Sequence, residues 1–318
     1  MRVLIIGASG FIGRLLAESL IKDMTLNGKP VEQLLLLDRS LPDFPASKAI
    51  KCYSGDYSEP TLLRRILADA IDVVFHLASM PGVMAEQDYE LGYRVNLQAS
   101  LELLAQLRSK ANCPTLIYAS SIAVYGNNLP AGMDEGYVPR PVLSYGVHKL
   151  IIEQQLNDLT RRGEINGHAL RLPVVVARSE QSEGLESAFM SDILRSLATG
   201  KHYRCPVSAQ ATAWWMSSPC CVENLKHAAS LDAATSQSIW QLPVLRQSVA
   251  EVVSVASELY QQDASLVTYA PEPNLEAQFG RFPAINTQAA QQAGFRHDGD
   301  LHKLISNALL TERENGCV

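Results

Sequence analysis

The first thirteen residues restrict the fold more than any other part of the chain. Val3-Leu4-Ile5-Ile6 is a short, uninterrupted apolar run that stops abruptly at Gly7-Ala8-Ser9-Gly10-Phe11-Ile12-Gly13. Such a run reads as a strand buried in a parallel sheet, and it is too short for the apolar region of a secretory leader. From Arg14 to Ile21 the apolar residues recur at helical spacing. Strand, glycine turn and helix start, in that order, make an anion site. Backbone N–H groups and the positive end of the helix dipole meet a pyrophosphate, and glycine lets it come close. Gly7, Gly10 and Gly13, with Ser9, Phe11 and Ile12 between them, are the expected lining. The alternative for the same residues is an ordinary glycine-rich βα turn.

A second strand, Leu34 to Leu37, ends at Asp38. A carboxylate at that place accepts bonds from adenosine ribose hydroxyls and repels a 2′-phosphate, which favours NAD over NADP. Arg39 next door works the other way, since arginine accommodates that phosphate. A third short strand leads to Asp56 and Tyr57, where Asp56 either meets the adenine amino group or serves a turn. Strands then follow at Asp72–Ala78, Thr115–Ala119 and His168–Leu172. Between them lie helical patterns, one through Leu91, Val95, Leu101, Leu104 and Leu107 and one from Tyr145 to Leu159. This is the βαβ rhythm of an α/β doubly wound parallel sheet, a Rossmann fold, whose ligands bind outside the carboxyl ends of the strands. Gly7, Asp38, Leu77-Ala78, Ser120-Ser121 and Leu172-Pro173 all fall at strand ends, and one shared site is expected there.

After Pro173 the rhythm breaks. A polar loop (Ser179 to Glu186) and a helix (Ala188 to Ala198) precede Cys205-Pro206-Val207. Ile239-Trp240-Gln241-Leu242 and a helix from Val249 to Leu259 read as a return to the sheet, and a last helix spans Leu301 to Leu310. The expected division is a dinucleotide-binding domain over 1–173 and about 216–262, with a smaller, discontinuous C-terminal substrate lobe over the rest, 174–215 and 263–318.

With 318 residues and 47% hydrophobic content the chain can bury a core large enough for two lobes. Its net charge of −6 and scattered basic residues give no footprint for nucleic acid. No apolar stretch approaches the ~20 residues that span a bilayer, so no membrane partner is expected. The six cysteines, among them the adjacent Cys220 and Cys221, form no C-x-x-C pair. That pattern fits reduced thiols in the cytoplasm better than a disulfide framework or a zinc site, and no metal is expected.

Chemistry enters at Ser144-Tyr145-Gly146-Val147-His148-Lys149. On a helix, Tyr145 and Lys149 share a face with Cβ atoms ~5–6 Å apart. A free phenol titrates near pH ~10, too high for a base at neutral pH. A unit positive charge ~6 Å away contributes about 2.8 kcal/mol at an effective dielectric of ~20, but only ~0.7 kcal/mol in bulk water. The lysine therefore activates the tyrosine only in a partly dried site. Ser120 and Ser121, just after a strand, offer a hydroxyl to orient a substrate oxygen. Each of these residues has an ordinary reading too: packing for the tyrosine, a solvated face for the lysine, a turn for the serines. His148 is expected on an exposed face, and His76 and Tyr125 in the core or in support.

Taken together the chain resembles the extended short-chain dehydrogenase/reductase family, of the NAD-dependent epimerase/dehydratase type. The matching marks are Gly7 to Gly13, His76-Leu77-Ala78, Val95-Asn96, Ser120 to Gly126, Tyr145 to Lys149 and Arg171-Leu172-Pro173. The resemblance implies NAD as cofactor, Ser121 as the hydroxyl-orienting serine, Tyr145 as general base, and Lys149 as ribose ligand and tyrosine activator. It implies Asn96 as a helix asparagine supporting the site. Ser120, Leu77, Ala78, Tyr57 and Leu172 would border the cofactor, and a homodimer is the default assembly.

Within that family two substrate classes compete. Members acting on nucleotide-sugars usually carry an arginine that grips the pyrophosphate, in a segment matching Ala211 to Leu225, which here contains none. The chain is more similar to the D-erythronate dehydrogenase branch, through Asp88 to Asn96, Ala169 to Val176, Cys205-Pro206-Val207, Val222 to Leu225 and Phe282-Pro283-Ala284. That likeness implies oxidation of a secondary hydroxyl, at C2, of a small sugar acid. It makes Arg178 the candidate for the substrate carboxylate, beside Ser121 and Tyr145 at the reacting oxygen. The chain departs from the branch at Ser79 to Ala85, at Thr212-Ala213 and at Ala177-Arg178-Ser179, which leaves a related aldonate or a uronate open. A nucleotide-sugar epimerase or dehydratase with tightly held NAD, and a non-catalytic dinucleotide sensor, are the alternative expectations.

Overall fold

β1 (Arg2–Ile6) runs into α1 (Phe11–Asp23) through the glycine turn. The chain continues through β2 (Gln33–Asp38), β3 (Ile50–Ser54), α2 (Pro60–Ile66) and β4 (Val73–His76). A helical stretch then passes from Tyr89–Gly92 through a π-helical turn, Tyr93–Gln98, into α3 (Ala99–Arg108). Next come β5 (Thr115–Ser121), α4 (Ser144–Arg161), β6 (Asn166–Leu172), β7 (Val174–Val176) and α5 (Phe189–Ala198). β8 (Thr212–Ser217), α6 (Ser218–Ala228), β9 (Ile239–Gln241), β10 (Leu245–Ser248), α7 (Val249–Tyr260) and α8 (Leu301–Glu314) follow. The structure, a computed structural model, describes residues 1–110, 112–177, 186–232 and 237–314.

The main sheet has the order β3-β2-β1-β4-β5-β6-β9. β1 pairs in parallel with β2 and β4, β2 with β3, and β4 with β5. The chain steps outward from β1 in one direction and then in the other, so a switch point lies between β1 and β4. That is the doubly wound arrangement expected from the βαβ rhythm, and β9 does return to the sheet. Successive residues of β1 and β2 are buried, Val3 to Ile6 at 0–1% exposure. A strand buried on both faces must be covered on both. On one side Leu4, Ile6, Leu35 and Leu37 join Leu62, Leu103 and Leu156 in a single core cluster. α1 turns Leu16, Ala17 and Leu20 inward.

Contacts group the chain into two units. The first comprises Met1–Val124, Pro141–Arg171 and Val222–Trp240, and the second Tyr125–Arg140, Leu172–Cys221 and Gln241–Val318. Residues 125–140 and α7 thus cluster with the second unit, whereas the sequence rhythm groups them with the first. In the second unit β8 is central, parallel to β7 and antiparallel to β10. Trp214, Trp215 and Met216 are wholly buried in it. Trp214 Nε1 donates to the Pro283 carbonyl at 2.7 Å, and its ring lies 4.9 Å from that of Phe282. Among the described residues no helix is long and apolar enough to cross a membrane.

One expectation is corrected. His148 is buried, with 3% exposure, rather than on an exposed face. The rings of Tyr89 and Tyr93 lie 6.3 and 5.8 Å from its imidazole, because the helical stretch from Tyr89 packs over that side of α4.

Candidate active site

The glycine turn is fixed by close approach. Gly7 has φ +93°, and a Cβ there would lie 2.6 Å from the Ala78 nitrogen. A Cβ on Gly13 would lie 1.9 Å from the Gly7 carbonyl oxygen. Only glycine fits either place, and α1 therefore starts directly against the end of β1. Gly10 is the N-cap of α1, and Phe11, Ile12 and Ser9 are half-buried around it. Gly13→Ala is expected to destabilise the first unit by about 2–3 kcal/mol or more, and to abolish dinucleotide binding. Thermal unfolding and cofactor titration check this; wild-type values in both would show that the turn yields.

Asp38 ends β2 beside that turn. Its Oδ2 accepts from the Ser9 N–H at 3.0 Å and its Oδ1 from the Arg39 N–H at 2.7 Å. The Ser9 hydroxyl donates to the Ser40 carbonyl. Each carboxylate oxygen keeps a second lone pair, so the pinned group can still accept from ribose hydroxyls. Leu77 and Ala78, both half-buried, donate their N–H groups to the Ile6 carbonyl, each at 2.9 Å, which ties the end of β4 to the turn. Asp56 accepts from the Ser58 N–H at 2.8 Å, as a turn aspartate does.

Three expected cofactor residues spend their side chains on the protein. Tyr57 is buried and donates its hydroxyl to the Val95 carbonyl, and burial raises its pKa. Asn96, on the π-helical turn, accepts from the Met80 N–H at 2.7 Å and donates to the Met80 carbonyl at 3.0 Å, clamping the strand-end loop. Ser120 donates its buried hydroxyl to Glu153. Leu172, half-buried at the end of β6, groups with the second unit. Arg178 lies outside the described residues.

The chemistry-bearing groups gather where β5 ends and α4 begins. A Cβ on Gly146 would meet the Ala123 carbonyl at 2.5 Å and Pro141 Cβ at 2.9 Å, so α4 can sit down on the turn after Ser121. The Ser144 N–H donates to Glu86 Oε1, which fixes the first turn of α4. The Ser121 hydroxyl oxygen accepts from the Ala123 N–H at 3.1 Å, leaving its proton able to point to a ligand. Tyr145 is half-buried, and Lys149 is buried at 2% exposure. The lysine Nζ donates to the Ala119 carbonyl at 2.6 Å and lies 5.4 Å from the centre of the Tyr145 ring. Burial brings its pKa down to about 7, while the charge of Glu153 acts to raise it.

Behind this group lies a buried set in which His76 takes the core place expected of it. Lys149 Nζ stands 4.7 Å from the Tyr118 ring centre, and the His76 ring packs 5.4 Å from Tyr118 and 5.2 Å from Tyr57. His76 Nε2 pairs with the Ser100 hydroxyl at 2.8 Å. Burial, then the charge of Lys149, lowers the His76 pKa to about 3; His168, also buried, is lowered to about 4 by burial. Both are neutral in the folded state. Unfolded histidine takes up a proton below about pH 6.5, so the unfolded state gains protons first and stability falls as pH falls. Each histidine should steepen the loss by about 1.4 kcal/mol per pH unit between pH 6 and its folded pKa. Denaturant unfolding of His76→Gln across pH 4–7 should show a shallower slope than wild type; an equal slope would mean the imidazole is already charged when folded.

Glu153 is the functional-looking residue missing from the sequence reading, and Arg171, read there only as part of a family mark, is its partner. The only available signal was spacing, since Glu153 follows Lys149 by four on the same helix. Among the described residues no group of three or more His, Cys, Asp or Glu is placed to hold a metal.

Comparison with known proteins sharpens this picture. The model of the NAD dependent epimerase/dehydratase family matches residues 3–215. D-erythronate dehydrogenase of Cupriavidus necator is 34% identical over 313 residues, covering 96% of this chain and 97% of that one. D-erythronate dehydrogenase of Haemophilus influenzae is 28% identical over 314 residues, covering 96% and 98%. Among solved structures, a nucleoside-diphosphate-sugar epimerase from Agrobacterium tumefaciens superposes with a TM-score of 0.92 at 31% identity, covering 100% of this chain and 95% of that one.

Proposed function

The chain belongs to the NAD-dependent epimerase/dehydratase family, and on that premise we propose that it oxidises a secondary hydroxyl of a small sugar acid, D-erythronate at C2 being the first candidate. The observation that carries the chemistry is the buried Lys149 ammonium 5.4 Å from the Tyr145 ring, at the end of β5. The two near-full-length D-erythronate dehydrogenase relatives support the substrate class.

The residues of the first unit fit NAD. Gly7 and Gly13 leave no space for a Cβ, and the Asp38 carboxylate stands at the end of β2 beside them. These, with Ser9, Gly10, Phe11, Ile12, Leu77 and Ala78, are the residues proposed to hold the dinucleotide. When bound, NAD supplies the hydride acceptor. Tyr145, as phenolate, takes the proton of the substrate hydroxyl. Ser121 donates to the same oxygen and so fixes its direction. The Lys149 ammonium, in a site shielded from water, favours the phenolate over the phenol. Tyr57, Asn96 and Ser120 hold this frame from behind. Arg178 is proposed to clamp the substrate carboxylate through paired N–H donors. The second unit is proposed to select the substrate, and a homodimer is the proposed assembly.

A nucleotide-sugar epimerase is the competing reading, favoured by the name of the superposing Agrobacterium protein. Against it, residues 211–225 contain no arginine, and Trp214, Trp215 and Met216 are core side chains rather than pocket lining. The deciding assay follows NADH absorbance with a panel of four- and five-carbon aldonates, uronates and UDP-sugars. NADH formed with a four-carbon aldonate supports the proposal. Epimerisation of a UDP-sugar without net NADH, and no oxidation of any acid, would replace it.

A further inference from the structure

We propose that Glu153 is a positioning residue for the oxidation, acting through Lys149 one helical turn away and through the end of β5 that carries Ser121. This rests on the roles proposed above for Tyr145 and Lys149. Glu153 is wholly buried. It follows Lys149 by four residues on α4, so the two side chains share a face with Cβ atoms ~5–6 Å apart. Arg171, on β6, donates from Nε to Oε1 at 3.0 Å and from Nη2 to Oε2 at 2.7 Å. The Ser120 hydroxyl donates to Oε1 as well. Three charged side chains, Lys149, Glu153 and Arg171, therefore share one buried region.

Packing alone does not account for them. A buried ion pair loses hydration that its own attraction often fails to offset, and apolar residues of equal volume commonly serve stability as well or better. The charge has a use here. The other groups facing the ammonium are the Tyr145 ring, the neutral Tyr118, the Ala119 carbonyl, and His76, which burial keeps uncharged. Among the described residues Glu153 is the carboxylate that acts on it, and Arg171 pairs with that carboxylate. Glu153 also fixes place. Ser120, which it holds, lies between Ala119, whose carbonyl receives the lysine, and Ser121, whose hydroxyl meets the substrate. One buried carboxylate thus sets both the charge of the lysine and the position of the serine.

Glu153→Gln keeps the volume and removes the charge. The full chain, labelled with 13C-lysine, is titrated by NMR, with the Lys149 signal assigned by its loss in Lys149→Met. The Lys149 midpoint is expected to fall by about one pH unit or more in the variant, and Glu153→Asp should restore most of it. With an accepted sugar acid, kcat at neutral pH should fall about tenfold or more, with a smaller change in KM for NAD, and the pH profile of kcat should shift. An unchanged Lys149 midpoint and an unchanged pH profile would overturn the proposal, even if the variant melts earlier. Should the single variant not fold, Glu153→Gln combined with Arg171→Met leaves no unpaired guanidinium and carries the same two outcomes. If the wild type oxidises no sugar acid, the functional reading fails while the NMR titration still decides the role of Glu153.

Discussion

Tyr145→Phe should lower turnover of any accepted sugar acid by about a thousandfold or more while leaving NAD binding nearly intact. The substitution removes one oxygen and keeps the ring, whose half-buried seat follows from the α4 backbone and from Gly146. Lys149 keeps its bond to the Ala119 carbonyl, so the rest of the site is undisturbed. What is lost is the proton acceptor, and positioned general bases typically supply 10²–10⁴-fold. Steady-state rates with and without the hydroxyl, and a separate NAD titration, check this. Near-wild-type turnover would remove Tyr145 from the reaction; a collapse of NAD affinity would instead make it a binding residue.

Lys149→Met is expected to affect both turnover and cofactor binding, and to leave a thermodynamic mark. Turnover should fall at least about a hundredfold, because the phenolate loses its cation, and NAD should bind more weakly as well. The stability change can be signed. An unfolded lysine keeps its proton up to about 10.5, whereas the folded Lys149 releases it at about 7. Between those values the unfolded state binds more protons, so wild-type stability should rise with pH, by about 1.4 kcal/mol per unit between pH 7 and 9 from this group. Below pH 7 the cost of burying the charge is present in full. The methionine variant should lack that rise. Denaturant unfolding at pH 7, 8 and 9 measures it, and parallel curves for the two proteins would mean that Lys149 is not the desolvated group described here.

Much of the fold was legible because its signals are local. The glycine turn is three residues of fixed spacing between a strand and a helix, and no long-range contact is needed to read it. The sheet rhythm and the Tyr145–Lys149 pair are likewise patterns of period and spacing along one segment. What stayed hidden depends on distant packing. Glu153 and Arg171 come from different elements, and a glutamate in a helical pattern ordinarily marks the solvent side. His148 reads as exposed from α4 alone, because nothing in that helix shows that Tyr89 and Tyr93 lie over it. The π-helical turn at Tyr93–Gln98 leaves the apolar spacing of the long helix almost unchanged, yet it carries the residue that clamps Met80. The same holds for Tyr57 and Ser120, which the family resemblance places beside the cofactor and whose hydroxyls turn to the protein itself.

The most direct test follows a single hydrogen. D-erythronate carrying deuterium at C2 is oxidised with NAD, and the reduced cofactor is isolated and examined by mass spectrometry. Reduced cofactor heavier by one deuterium, lost together with turnover in Tyr145→Phe, is the predicted result. Unlabelled NADH would move the oxidation to another carbon, and no NADH from this acid or its close relatives would contradict the assignment altogether.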